Sequence, residues 1–396
     1  MESIKRVRLS DISELITKGT TPTTLGYEFQ DQGINFLKIE CFDEYGGFIE
    51  DKLAHISDEC NMKLKRSQLQ AGDILFSIAG AIGRVAIVTE QMLPANTNQA
   101  LAIIRINRDD VYIPYIRLIL TAPIVKKQFE RKKQGVAQLN ISLKDINELT
   151  IPLPNRIQQI QCVSLLDRID GVINARKLEL KKLDELIKAR FVELFGTYPA
   201  NEKGWDTGKI KDLVTEVRYG SSRKAADGNS GKYPYLRMNN ITYGGELDLT
   251  DTKTIDIPDE ELDKCTVRRG DLLFNRTNSK ELVGKTCVYN RDEMMVLAGF
   301  VVRVRLNNMA LPEFVSVFLN TDFSKQMLLN MCKAAIGQAN INAQELQNIG
   351  IYIPPIGLQR EFVSFKAQVD KSKVEVQRSL DETQKLFDSL MQQYFS

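Results

Sequence analysis

The 396-residue chain contains a single histidine, His55. One imidazole leaves no room for a multi-histidine zinc site and makes a Ser-His-Asp or Cys-His apparatus a poor reading. The six cysteines (Cys41, Cys60, Cys162, Cys265, Cys287, Cys332) stand singly, without Cys-x-x-Cys spacing. In a chain this long they are expected to be reduced core thiols of a cytoplasmic protein. No segment approaches the roughly 18 consecutive apolar residues of a membrane span. The first residues, Met1 to Arg6, lack the apolar centre of a signal peptide. A cytoplasmic location without a membrane partner is therefore expected. The formal net charge of +2 excludes nothing, since phosphate contacts depend on local clusters of Lys and Arg.

What is present is an ordinary globular composition, 43% hydrophobic and 26% charged, with length enough for two domains. It also contains a long internal repeat. Gln138-Leu139-Asn140-Ile141 answers Gln338-Ala339-Asn340-Ile341 at an offset of 200 positions. The same register pairs Ile151 with Ile351, Pro154 with Pro354, Gln159 with Gln359, Val163-Ser164 with Val363-Ser364, Asp170 with Asp370, and Phe195 with Phe395. Earlier anchors are looser. Gly72-Asp73-Ile74-Leu75-Phe76 answers Gly270-Asp271-Leu272-Leu273-Phe274, and Gly19 answers Gly220. Between anchors the halves diverge: Ser77-Ile78-Ala79-Gly80 stands where Asn275-Arg276-Thr277-Asn278 stands. Two similar scaffolds thus carry different surfaces.

Each half begins β-rich, with short apolar runs at 73–78, 85–88, 100–106 and 300–306. A helical stretch is expected from Pro114 to Lys133, and its counterpart from Pro312 to Lys333. After Pro154 the chain from Arg156 to Leu194 has no proline and only Gly171. Ile160, Val163, Leu166, Ile169, Ile173, Leu183, Leu186, Ile187, Phe191 and Leu194 recur at helical spacing. Such a helix would extend roughly 58 Å. A counterpart runs from Gln359 to Phe395 with Val369, Val376, Leu380, Phe387 and Leu390 on its stripe. Stripes this long suggest that the helices pack on each other, antiparallel, as a coiled-coil-like spacer. The alternatives are packing on the chain's own domains or on another subunit. The expected fold is α+β, with a first domain at 1–154, a long helix at 155–199, a second domain at 200–354 and a C-terminal helix at 355–396.

This order resembles that of type I restriction-modification DNA specificity subunits along essentially the whole chain. The residues that carry the resemblance are Trp205 with Ile210-Lys211-Asp212-Leu213 and Gly220, the paired Gly-Asp strands, and Gly135-Val136-Ala137-Gln138-Leu139-Asn140-Ile141 leading to Ile151-Pro152-Leu153-Pro154. The first half lacks the tryptophan. The resemblance implies two target-recognition domains, each reading half of a bipartite double-stranded DNA site, with helices that set the gap and dock two modification subunits. It also implies restriction subunits as further partners. Cofactors are expected on those partners, S-adenosylmethionine for modification and ATP with Mg for restriction, and none in this chain.

The residues themselves offer no catalytic constellation. The phosphate-loop lookalike Ala226 to Tyr233 lacks the first glycine and the final Ser/Thr. Gly80-Ala81-Ile82-Gly83 is open enough to approach a phosphate backbone, but a tight turn between strands is the better reading. Asp259-Glu260-Glu261 reads as a solvated loop. The candidates for DNA contact are the polar turns that differ between halves, because Arg, Lys, Asn, Gln, Ser and Thr read base edges. In the first half these are Lys18, Thr20, Thr21, Thr23, Thr24, Arg84, Asn96, Asn98 and Gln99. In the second they are Tyr219, Ser221, Ser222, Arg223, Lys224, Arg237, Asn239, Asn240, and the run Asn275, Arg276, Thr277, Asn278 and Lys280. The basic run Lys126, Lys127, Arg131, Lys132 and Lys133 fits either phosphate contact or a helix end complemented by cations. A coiled-coil scaffold or adaptor without DNA specificity is the competing reading. Salt-dependent duplex binding separates the two.

Overall fold

The Gly-Asp repeat shows how sequence becomes scaffold. Gly72 and Gly270 adopt φ of 86° and 89°, a region glycine enters without steric cost. The aspartate that follows then closes its turn, Asp73 Oδ2 accepting from Gln70 N at 2.8 Å and Asp271 Oδ2 from Arg268 N at 2.9 Å. Each carboxylate also takes an arginine from the neighbouring strand, Arg105 Nε at 2.7 Å and Arg305 Nε at 2.8 Å. Both aspartates are buried, so each pair pins the strand start to its neighbour.

The computed structural model describes residues 5–43, 46–131, 140–226, 230–279, 281–335 and 338–395. The chain forms two compact units, Met1–Lys177 with Arg378–Ser396, and Leu178–Gln377. Each unit therefore includes part of both long helices, Arg156–Phe195 and Ile356–Phe395, whereas the sequence reading set the helices apart as separate segments.

In the first unit, strands Leu15–Lys18, Leu101–Arg105, Ile74–Ser77 and Val85–Ile87 form a four-stranded antiparallel sheet in that spatial order. A second sheet orders Ala54–Ile56, Ile34–Leu37 and Ala95–Thr97, the last pair parallel. Strand Arg6–Arg8 pairs with Thr150–Pro152. Ile74 and Phe76 point into a core roofed by helices and Leu75 into the core on the other side, the period of two expected of a strand covered on both faces. The helix roof includes Cys162, Val163 and Leu166 of one long helix and Met391 and Phe395 of the other.

The second unit repeats the plan. Val214–Tyr219, Val301–Leu306, Leu272–Asn275 and Thr286–Val288 form the four-stranded sheet. Lys253–Ile255, Tyr233–Leu236, Met295–Leu297 and Thr266–Val267 form the second sheet. Phe191 and Phe195 pack on Phe314 and Phe362, with centroids 4.9–5.6 Å apart. Arg190 pairs with Glu361 at 2.7 Å and Asp184 with Lys373 at 2.6 Å. One helix ascends as the other descends, so within this unit the pair is antiparallel and also packs on its own domain.

Three expectations need correction. The stretch from Pro114 is two helices, Ile113–Thr121 and Pro123–Arg131. Ala122 is extended (φ −69°, ψ 148°) because the proline after it disfavours helical backbone. Its counterpart is likewise split into Pro312–Leu319 and Asp322–Met331, where Thr321 caps the new helix by accepting from Ser324 N. On the long helix Leu186 is 46% exposed and Ile160 42%, while Ile187 and Phe191 are buried. Asp259, Glu260 and Glu261 form the first turn of a helix, Asp259–Cys265, where carboxylates suit the exposed N–H groups.

Candidate nucleic-acid interface

The polar turns assemble where the strands of each four-stranded sheet end. In the first unit Gly19 lies so close to the next segment that a Cβ would sit 1.8 Å from Thr97 O. This contact brings the turn after Lys18 against Thr97 and Asn98, and Thr21 Oγ1 donates to Gln99 Oε1. Asn98 Oδ1 accepts from Ala100 N at 3.0 Å. Thr24 Oγ1 donates to Thr21 O at 2.6 Å, and Thr23 is exposed on the same turn. Arg84 donates to Phe42 O at 3.3 Å and is not part of this cluster of contacts. Gly80 and Gly83, with φ of 71° and 89°, close the turn between strands Ile74–Ser77 and Val85–Ile87.

In the second unit Gly220 makes the equivalent close approach, its Cβ position 2.3 Å from Ala298 O. Ser221 then donates its N–H to Leu297 O at 2.6 Å, and Gly299 N donates back to Ser221 O at 2.7 Å. Tyr219 lies under the Arg276 guanidinium, 4.9 Å from ring centroid to carbon, and its hydroxyl accepts from Ala343 N at 3.0 Å. Arg276 Nε donates to Asn340 Oδ1 at 3.3 Å.

Several candidates turn out to be internal. Asn96 is fully buried, held by Ser67, Asn61 and Leu64 O. Asn240 is 2% exposed and braces its own loop by donating to Asp248 O at 2.8 Å. The run from Asn275 is not a uniform polar edge, because the chain stays extended through Thr277–Asn278 and alternate residues face inward. Asn275 and Thr277 are buried, Arg276 and Asn278 half-buried. The Asn275 amide has no hydrogen-bond partner among the described residues. Two cations are neutralised locally, Arg223 by Glu261 at 2.6 Å and Arg237 by Asp251 at 2.8 Å. Glu261 is held below its usual carboxylate range by Arg223. Ser222, Lys224 and Asn239 are exposed, and Ser221 is buried in its turn. Lys126 and Lys127 are exposed on their helix; Lys280, Lys132, Lys133 and the Arg131 side chain lie outside the described residues.

Sequence reasoning missed Phe300, Asn340 and Lys285. Phe300 is 52% exposed beside Arg276, whose N–H donates to Phe300 O at 3.0 Å. It reads as the first residue of an apolar strand, and nothing in the sequence marks it as surface. Asn340 belongs to the repeated Gln-x-Asn-Ile anchor, whose repetition marks it as scaffold. Lys285 is 7% exposed, donates to Met238 O at 3.0 Å, and has its pKa pushed down by burial. Among the described residues no group of His, Cys, Asp or Glu could hold a metal ion, and no helix is long and apolar enough to cross a membrane. Five of the six cysteines are buried, with burial pushing the Cys162 thiol up to about 11.

A sequence profile described as the type I restriction modification DNA specificity domain matches residues 1–184 and again 202–383. The type I restriction enzyme EcoKI specificity subunit of Escherichia coli K12 is 22% identical over 304 residues, 72% of this chain and 65% of its own length. A putative type I restriction enzyme MjaX specificity subunit of Methanocaldococcus jannaschii is 24% identical over 195 residues, 48% of this chain and 45% of its own. The matches thus span less than two thirds of the length of these relatives. Two solved structures share the fold over nearly the whole of both chains. One chain comes from a study of complex assembly and conformational transition in the type I R-M system, at 17% identity and a TM-score of 0.63, covering 98% of this chain and 97% of that one. The other is a type I restriction-modification S subunit from M. genitalium, at 13% identity and a TM-score of 0.53, covering 100% of this chain and 97% of that one.

Proposed function

The chain belongs to the type I restriction-modification DNA specificity family, and from that premise we propose that it is the DNA-reading subunit of such a complex. Each unit reads one half of a bipartite duplex target, and the two long helices set the unspecified gap and dock two modification subunits. The chain itself performs no chemistry. Methyl transfer from S-adenosylmethionine and ATP- and Mg-dependent restriction belong to partner subunits, in the cytoplasm.

One observation carries this reading: the scaffold is held twice by the same internal contacts while the turns it presents differ. Gln159 and Gln359 are both fully buried, each donating to the carbonyl of the proline five residues earlier at 2.8 Å. The same amide oxygens accept from Tyr112 N at 2.8 Å and Leu311 N at 2.9 Å. The two Asp-Arg pins repeat as well. Yet Lys18-Gly19-Thr20-Thr21 in one unit stands where Tyr219-Gly220-Ser221-Ser222 stands in the other. One frame with two sets of polar tips fits two different half-sites.

The test is duplex binding by the full chain together with the modification subunit of its own genome. Affinity for a selected sequence should fall steeply with salt, because phosphate neutralisation releases counterions. Sequence-independent binding, or none, would sink the proposal. The purified chain alone should transfer no methyl group to DNA.

A further inference from the structure

We infer that Tyr219, Arg276 and Phe300 form the base-reading platform of the second unit, and that it selects a guanine beside a 5-methylated pyrimidine, thymine in unmodified DNA. The inference rests on the DNA-reading function proposed above and adds which residues read and what they read.

The register places the three side chains on one face. Val302 pairs with Phe274 on one side and with Tyr219 on the other. Arg276 lies two residues beyond Phe274, and Phe300 two residues before Val302, so the strand period of two turns all three the same way. The Arg276 N–H to Phe300 O bond of 3.0 Å sets those two residues opposite each other. Val302 and Phe274 are buried in the core on this face, and at the sheet's end the face emerges. There Tyr219 is 43% exposed and Phe300 52%.

The chemistry of the three is complementary to a major-groove edge. Among the described residues Arg276 pairs with no carboxylate. Its Nε is taken by Asn340 and its plane rests on Tyr219, which leaves both terminal nitrogens without a partner among the described residues. A guanidinium oriented this way presents a two-pronged donor, and guanine O6 and N7 are the commonest match for it. Phe300 offers only apolar surface, for which the one major-groove complement is the thymine methyl.

The first unit supplies an internal comparison. There Ala102 pairs with Phe76 and with Lys18, and Ile78 N donates to Ala100 O at 2.9 Å. The equivalent positions are therefore Lys18, Ile78 and Ala100. Ile78 is 4% exposed, and no aromatic or guanidinium stands there. The backbone frame is shared and the three side chains differ, as expected of positions that set different half-sites.

The test uses the full chain with its modification subunit and a pool of duplexes with a randomised centre, copied with either thymidine or deoxyuridine. Wild type should enrich a half-site containing guanine next to thymine, and deoxyuridine at that thymine should weaken binding about four-fold, the scale of one buried methylene. Phe300→Ala should bind the two pools equally. Arg276→Ala should lose the guanine, with roughly ten-fold weaker binding to the wild-type site. Complex assembly should be unchanged in both variants and melting temperature should fall only slightly, since Phe300 is exposed and Arg276 is half-buried at the sheet's end. If wild type enriches a bipartite sequence and both variants enrich the same one with the same thymidine-to-deoxyuridine ratio, the platform is wrong and the DNA-reading function stands. If wild type enriches nothing, the DNA-reading function falls and takes the platform with it.

Discussion

At the scale of single residues, buried polar groups decide what can change. Gln359 makes three hydrogen bonds from a fully buried site. Gln359→Ala leaves those backbone groups unpaired and should destabilise the protein by roughly 2–4 kcal/mol in chemical denaturation, with base preference unaltered. Glu216 bears on acid stability. Its hydrogen bond from Arg218, together with the charges of Arg303 and Arg305, holds its carboxyl below the ordinary value. A depressed carboxylate contributes stability above its unfolded pKa, and that contribution is lost as pH falls through the folded one. Glu216→Gln should therefore lower stability near neutrality and flatten the decline towards acid, as followed by urea midpoints across that range.

At the scale of elements, the helices show where sequence patterning stops being sufficient. Helical spacing admits Leu186 and Ile187 equally, one residue apart on adjoining lines of the same helix. Packing buries Ile187 to 7% and leaves Leu186 46% exposed. Leu186→Asp should then change stability by less than about 0.5 kcal/mol. Phe191→Ala, which removes a ring packed on three others, should cost about 3–5 kcal/mol. Comparable losses for the two would contradict the packing. The helical break at Pro123 was legible in principle, since a proline nine residues after Pro114 cannot continue the backbone ladder. The break at Thr321 was not, because a lone threonine caps one helix as readily as it sits inside another.

At the scale of the molecule, repetition separates what must stay from what varies. Substitutions confined to the second unit's turns, Arg276→Ala or Asn278→Ala, should alter one half of the selected target and leave the other half and the assembly intact. Loss of assembly from either would argue against separate reading units. The apolar residues left exposed on the long helices, such as Leu178, Val192 and Val374, are at the surface where modification subunits are proposed to dock.

The sequence by itself determined the repeat, the two long helices and the Gly-Asp turns, because each is local: a period, the lack of prolines, or a glycine that permits positive φ. It also identified Arg276 and Tyr219 as candidates. Tertiary structure alone decided that Asn96, Asn240 and Asn275 face inward while Phe300 faces out. Residue type gives only a tendency towards burial, and the sheet end and its neighbouring turn decide which side of the strand meets water. Asn240 is enclosed by the loop it braces, Asn275 is enclosed at the sheet end with its amide unpaired among the described residues, and a phenylalanine two residues beyond the core has nothing left to pack against.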